Sequence, residues 1–156
     1  MSSRVQVGAT LPLRSVRFTA RHIVLGAMAS RDWQPQHHDH AYALAANLPG
    51  IILNTPAQTQ WFIGYVTAWA GPEARPARWR LSMKAPISPG DTIDFSGTVE
   101  AAKPDAMGHD WAVFNLAMTR GQETVSTFRL LCAVGEGVWQ RLGGNWQPPS
   151  FESFQG

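Results

Sequence analysis

The segment from Thr55 to Ala70 constrains the fold of this chain more than any other. Thr55 is a good N-cap residue. Pro56 follows at the first helical position, where its missing N–H costs nothing, and Gly71-Pro72 ends the helix. Between them Trp61, Phe62, Ile63, Tyr65, Val66 and Trp69 place apolar groups nearly all the way round. A helix with no polar face is buried, so the rest of the chain must surround it. The chain beyond Pro72 is suited to that task. Trp79, Leu81 and Met83 alternate with Arg78, Arg80, Ser82 and Lys84, and Ile93, Phe95 and Val99 alternate with Thr92, Asp94, Ser96 and Thr98. Ala112, Phe114, Leu116 and Met118 alternate with Val113, Asn115, Ala117 and Thr119, and a longer run over 124–134 carries Phe128, Leu130, Cys132 and Val134 on one face. A period of two marks strands with one buried face. Ser88-Pro89-Gly90-Asp91 and Arg120-Gly121-Gln122 supply turns, the second a hairpin. The expected class is α+β, an antiparallel sheet wrapped around one buried helix.

Ahead of that helix, Thr19 is an N-cap for a helix running to about Ser30, with Ile23, Val24, Ala27 and Met28 on one side, and Pro35 prevents its continuation. A loop with a short helical piece over 41–47 leads to Pro49-Gly50. At 156 residues the chain is one domain in size, and residues 136–156, rich in Gly and Pro, read as a tail packed over the surface or onto a partner. Charged residues are only 15%, well below the roughly 25% of ordinary domains, which makes a surface that continues into a second chain the expectation. Thirteen Lys+Arg against eleven Asp+Glu, scattered without a stripe, argue against nucleic acid. No apolar run is long enough to span a membrane and the first residues carry no apolar signal, so a cytoplasmic protein is expected. The single cysteine, Cys132, lies in an apolar run and reads as a small buried hydrophobe.

Chemistry concentrates in Arg31-Asp32-Trp33-Gln34-Pro35-Gln36-His37-His38-Asp39-His40. A carboxylate stands just after a helix, and imidazoles come after a proline. Plain helix would put Asp32 and His37 on different faces, whereas a turn at Pro35 folds both toward one water. That is the pairing general acid–base chemistry needs. A solvated polar loop, a metal site through His37, His38 and His40, and an Asp32 that only caps backbone amides remain open, although adjacent histidines make a poor tetrahedral set.

Asp32, Pro35, His37 and Asp39 resemble the Asp-x-Asn-Pro-x-His-x-Asp signature of the MaoC-like dehydratase / (R)-specific enoyl-CoA hydratase family, with Gln34 in place of Asn. Ser88-Pro89-Gly90-Asp91-Thr92-Ile93 is similar to that family's Pro-Gly-Asp strand start. Ala29-Ser30-Arg31-Asp32, the paired His37-His38, and 65–72 are most similar to the small MaoC-like subunit of bacterial steroid-side-chain enoyl-CoA hydratases. The resemblance implies a hotdog fold over 1–135, with 136–156 as the tail, and an acyl-CoA thioester substrate. It also implies a homodimer or a heteromer with a second MaoC-like hotdog chain. Asp32 and His37 become the catalytic acid–base pair, with Asp32 taking a proton from water and His37 supplying one to the α-carbon, or the two roles exchanged or shared. Gln34, Asn54 and Thr55 become substrate-binding, the last two through a backbone N–H at the helix start that polarises the thioester oxygen. Neither metal nor organic cofactor is implied. Two alternatives stay open: a hotdog acyl-CoA thioesterase, which usually carries a carboxylate on the central helix where 55–70 has neither Asp nor Glu, and a non-catalytic subunit of a heteromer.

Overall fold

The computed structural model describes residues 5–144 and 146–154. In chain order the elements are β1 (Thr10–Arg17), α1 (Ala20–Ala29), a 3-10 turn (Pro35–His37), α2 (His40–Ala45), α3 (Thr55–Ala70), β2 (Arg75–Met83), β3 (Thr92–Pro104), β4 (Asp110–Arg120), β5 (Glu123–Ala133), α4 (Val138–Leu142) and a second 3-10 turn (Glu152–Phe154). The strands make one sheet in the order β1-β3-β4-β5-β2, antiparallel throughout, so β1 and β2 are its edges. Helix α3 packs on one face. Ala57, Phe62, Tyr65 and Val66 meet Phe95, Val99, Phe114, Phe128 and Leu130 in a single core, with Phe62 stacked on Phe128 at 4.8 Å between ring centres. This is the hotdog arrangement with the expected central helix, but α3 is not buried all round: Gln60, Gly64 and Ala68 are exposed and Trp61, Ile63 and Trp69 only half-buried, because the sheet covers one side of it.

Three features differ from the sequence reading. The cap of α3 is Asn54, one residue earlier than expected, because the Asn54 side chain accepts the Ala57 N–H at 3.2 Å while the Thr55 hydroxyl turns to Met83 Sδ. Strand β1 carries no clear sequence signal, since Pro12 and an irregular register between Leu11 and Arg14 blur its alternation. Its place is set from outside, where the Tyr65 hydroxyl donates to Pro12 O at 2.8 Å.

The third difference is that the strands are not all one-sided. On the sheet face away from α3, Trp111, Val113, Leu131 and Ala133 are buried under Val138, Leu142 and Phe151 of the tail. Arginines of edge strand β2 hold that tail down. Arg78 donates to Pro148 O and Pro149 O, and the Arg75 guanidinium lies over Trp139 and Trp146 at 4.6 and 3.7 Å. Phe151 is covered by Arg80 and Arg129, at 5.4 and 4.7 Å. Cys132 is fully buried in the core, and burial pushes its thiol far above the usual range, which removes it as a nucleophile.

Candidate active site

The site forms where α1 ends, the 3-10 turn begins and α3 starts. Ser30 is the C-cap of α1, Arg31 adopts φ 55, and the N–H groups of Arg31 and Asp32 return to Met28 O and Ala27 O at 3.1 and 2.9 Å. This is a Schellman termination with Arg31 at the left-handed position, and it swings Asp32 off the helix axis. Pro35 then opens the 3-10 turn that carries His37 back toward Asp32. Asp32 Oδ2 and His37 Nε2 lie 3.4 Å apart, His37 buried and Asp32 partly open.

The hydrogen bonds fix the character of both groups. His37 Nδ1 is 2.7 Å from Ile52 O, and a carbonyl can only accept, so Nδ1 carries the proton. With Nδ1 engaged in this way, Nε2 is the ring nitrogen that faces Asp32. Asp32 Oδ2 accepts from Asn54 Nδ2 at 3.0 Å and Oδ1 from the Gln34 N–H at 3.4 Å. The Asn54 hydrogen bond, chief among the causes, holds the carboxyl below its ordinary range, outweighing burial and aided by the Gln34 N–H and the nearby His37. The two atoms, 3.4 Å apart, are close enough to share one water.

A third part of the site is the start of α3. Pro56 has no N–H, the Ala57 N–H is taken by Asn54 Oδ1, and the Gln58 N–H bonds Asn54 O at 3.0 Å. That leaves the N–H of Thr55 as the donor of the first turn without a protein acceptor among the described residues. Gln58 itself is buried, with its amide spent on Leu53 O, Met83 Sδ and the Ser126 hydroxyl.

The five residues singled out from the sequence thus converge. Asp32 and His37 face each other. Asn54 spends its side chain on Asp32, Ser30 and Ala57, Thr55 offers its N–H, and Gln34 reaches Asp32 through its backbone with its side chain exposed. The other polar residues of the segment have local duties. Asp39 caps α2 through the Tyr42 N–H at 3.0 Å, and His38 Nε2 lies 3.3 Å from Trp33 O. Among the described residues no three His, Cys, Asp or Glu side chains gather as a metal set. His22 and His109 have structural duties. His22 closes a capping box with Thr19 and packs edge-on against Phe18 and Trp61, and His109 donates to Asp105 at 3.1 Å. Arg75, Arg78 and Arg80 are engaged by the tail. The roles of Ser30 and of Ile52 O escape a reading of the sequence. A backbone carbonyl leaves no residue signal, whereas an Asn directly before Thr-Pro is itself a cap signal.

A family model described as MaoC like domain matches residues 4–119. The chain is 39% identical over 95 residues to the 3-oxo-4,17-pregnadiene-20-carboxyl-CoA hydratase beta subunit of Mycobacterium tuberculosis, across 61% of this chain and 74% of that one. It superposes on the ChsH1-ChsH2 complex from Mycobacterium tuberculosis with a TM-score of 0.76 at 30% identity, covering 83% of this chain and 98% of that one. It also matches the (R)-hydratase from A. caviae involved in PHA biosynthesis, with a TM-score of 0.75 at 23% identity over 86% of this chain and 100% of that one. That last likeness concerns the fold alone. No described helix is long and apolar enough to cross a membrane.

Proposed function

Because the chain belongs to the MaoC-like domain family, we propose that it is an enoyl-CoA hydratase/dehydratase that adds water across the 2,3-double bond of a 2-enoyl-CoA thioester. Asp32 and His37 form its acid–base pair. The observation that carries this reading is the 3.4 Å approach of Asp32 Oδ2 and His37 Nε2, beside a helix start that keeps one N–H in reserve.

In the reactive state the pair holds one proton, on His37 Nε2. Water held by Asp32 gives a proton to the carboxylate as its oxygen bonds to C3. The π electrons move onto the thioester oxygen, where the Thr55 N–H and the positive end of α3 meet the developing charge. The His37 proton then passes to C2 as the enolate collapses. Asp32 ends protonated, and transfer back to His37 resets the pair. Exchanging the two roles leaves the same balance. Gln34, whose side chain is exposed beside Asp32, offers its amide to the substrate.

The relative with 39% identity is named for a steroid-derived acyl-CoA and as a beta subunit, which supports a bulky acyl group here. Together with the two-chain ChsH1-ChsH2 complex, it also supports pairing with a second MaoC-like hotdog chain, identical or different. In this reading 1–135 is the hotdog domain and 136–156 a tail that braces it.

The test follows enoyl thioester absorbance and free thiol in parallel. Loss of absorbance without thiol is the expected result, and Asp32→Asn and His37→Ala each lower turnover by about 10²–10⁴-fold while circular dichroism stays unchanged. Thiol release would move the assignment to a thioesterase. Retention of most activity by either variant overturns the dyad.

A further inference from the structure

Ser30 occupies the junction between α1 and the site. Its hydroxyl donates to Gly26 O at 2.8 Å, with Ala27 O a second acceptor at 3.2 Å, which commits its only proton to the end of α1. Its oxygen accepts Asn54 Nδ2 at 2.8 Å, and the same amide nitrogen donates to Asp32 Oδ2 at 3.0 Å. On the other side of the amide, Asn54 Oδ1 accepts the Ala57 N–H. The two ends of this chain of bonds allow only one sense, because Gly26 O accepts and Ala57 N–H donates. Everything between is thereby polarised: a turned amide would set an oxygen against the Asp32 carboxylate and an NH₂ against the Ala57 N–H.

We infer that Ser30 is a positioning residue for Asp32, acting through Asn54: its hydroxyl, anchored on the last turn of α1, keeps the donor edge of the Asn54 amide on the carboxylate. This rests on the reading of Asp32 as the base, and it adds the means by which that base is held ionised and aimed. The groups facing Asp32 are few. The 3-10 turn contributes His37, the intervening loop the Gln34 N–H, α3 the neutral Asn54, and Arg31, next in the chain, is exposed. Without Ser30 the donor edge of the amide keeps only the carboxylate as a side-chain partner, and its hold on Asp32 loosens.

The experiment is a ¹³C NMR titration of the Asp32 carboxyl in the full chain, alongside the pH profile of kcat/KM for enoyl-CoA hydration. Ser30→Ala raises the carboxyl midpoint by roughly half a unit to one unit, and the acid limb of the profile moves up with it. Ser30→Thr, which keeps the hydroxyl, restores both. In an Asn54→Ala background, removal of Ser30 adds no further shift, since the path through the amide is already cut. Ser30→Gly, tolerated at a helix C-cap, makes the same comparison should the alanine variant fold poorly. An unmoved midpoint in Ser30→Ala overturns the proposal, as does a shift that persists in the Asn54→Ala background. The titration is read without turnover. If Asp32→Asn stays active, the catalytic reading falls while the placement of Ser30 is still decided on the midpoint.

Discussion

Arg31 adopts φ 55 at the end of α1, and Asn47 adopts φ 59 at the equivalent point after α2. Asparagine tolerates the left-handed region, while arginine pays on the order of 1 kcal/mol there. Arg31→Gly therefore stabilises the protein by about 0.5–1 kcal/mol, read as a higher urea midpoint with unchanged slope. Next to it, the depressed pKa of Asp32 carries a sign. A carboxyl held below its unfolded value contributes stability above the unfolded pKa of about 3.9, and loses it as pH falls through the folded value. Asn54 is the first cause of that depression and also caps α3. Asn54→Ala should cost about 1–2 kcal/mol at neutral pH, and part of that deficit should vanish in urea titrations as pH falls below the unfolded carboxyl value of about 3.9. A deficit independent of pH would leave the cap as the whole effect.

Helix α1 reaches the site because it crosses α3 closely. A Cβ built on Gly26 lies 2.8 Å from Ala57 Cβ, nearer than side chains tolerate, and two backbones rather than a flexible tip would have to give. Gly26→Ala should therefore cost about 1–3 kcal/mol and lower kcat, as the end of α1 carries Asp32 away from His37. Normal stability together with normal kcat in this variant would sink the close-crossing argument. The β3–β4 hairpin has its own clamp. Burial works against the charge on Asp105, but bonds from Trp111 Nε1–H, His109 and the Met107 N–H outweigh it and bring its pKa to about 2. The stability gap between wild type and Asp105→Ala should be widest above pH about 4 and close toward pH 2, measured as urea midpoints across that range. These helices and the hairpin strands are legible from caps and alternation, while β1 is not, because an edge strand with a proline receives its partners from elsewhere.

On the scale of the whole molecule, the sheet carries α3 on one face and the tail on the other. Phe151 seals the second layer, with 4% of its surface exposed between Arg80 and Arg129. Phe151→Ala should cost about 3 kcal/mol and expose the Trp111 face, raising dye binding. Because α3 and the dyad lie on the opposite face, the distance between Asp32 and His37 should be untouched, and unchanged kcat in the folded fraction checks that separation. The sequence alone determined the central helix with its start at Pro56, the four strands after it, the turn at Pro35, and the residue types that meet in the site. Those arise from local propensity and periodicity, which act over a few residues. Only the tertiary structure decided which face of β4 and β5 the tail would cover, that Arg75, Arg78, Arg80 and Arg129 would grip it, and that Asn54 would face Asp32 and Ser30 with its donor edge. Those outcomes depend on groups far apart in the chain and on hydrogen-bond directions that exist only once both ends of each bond are in place.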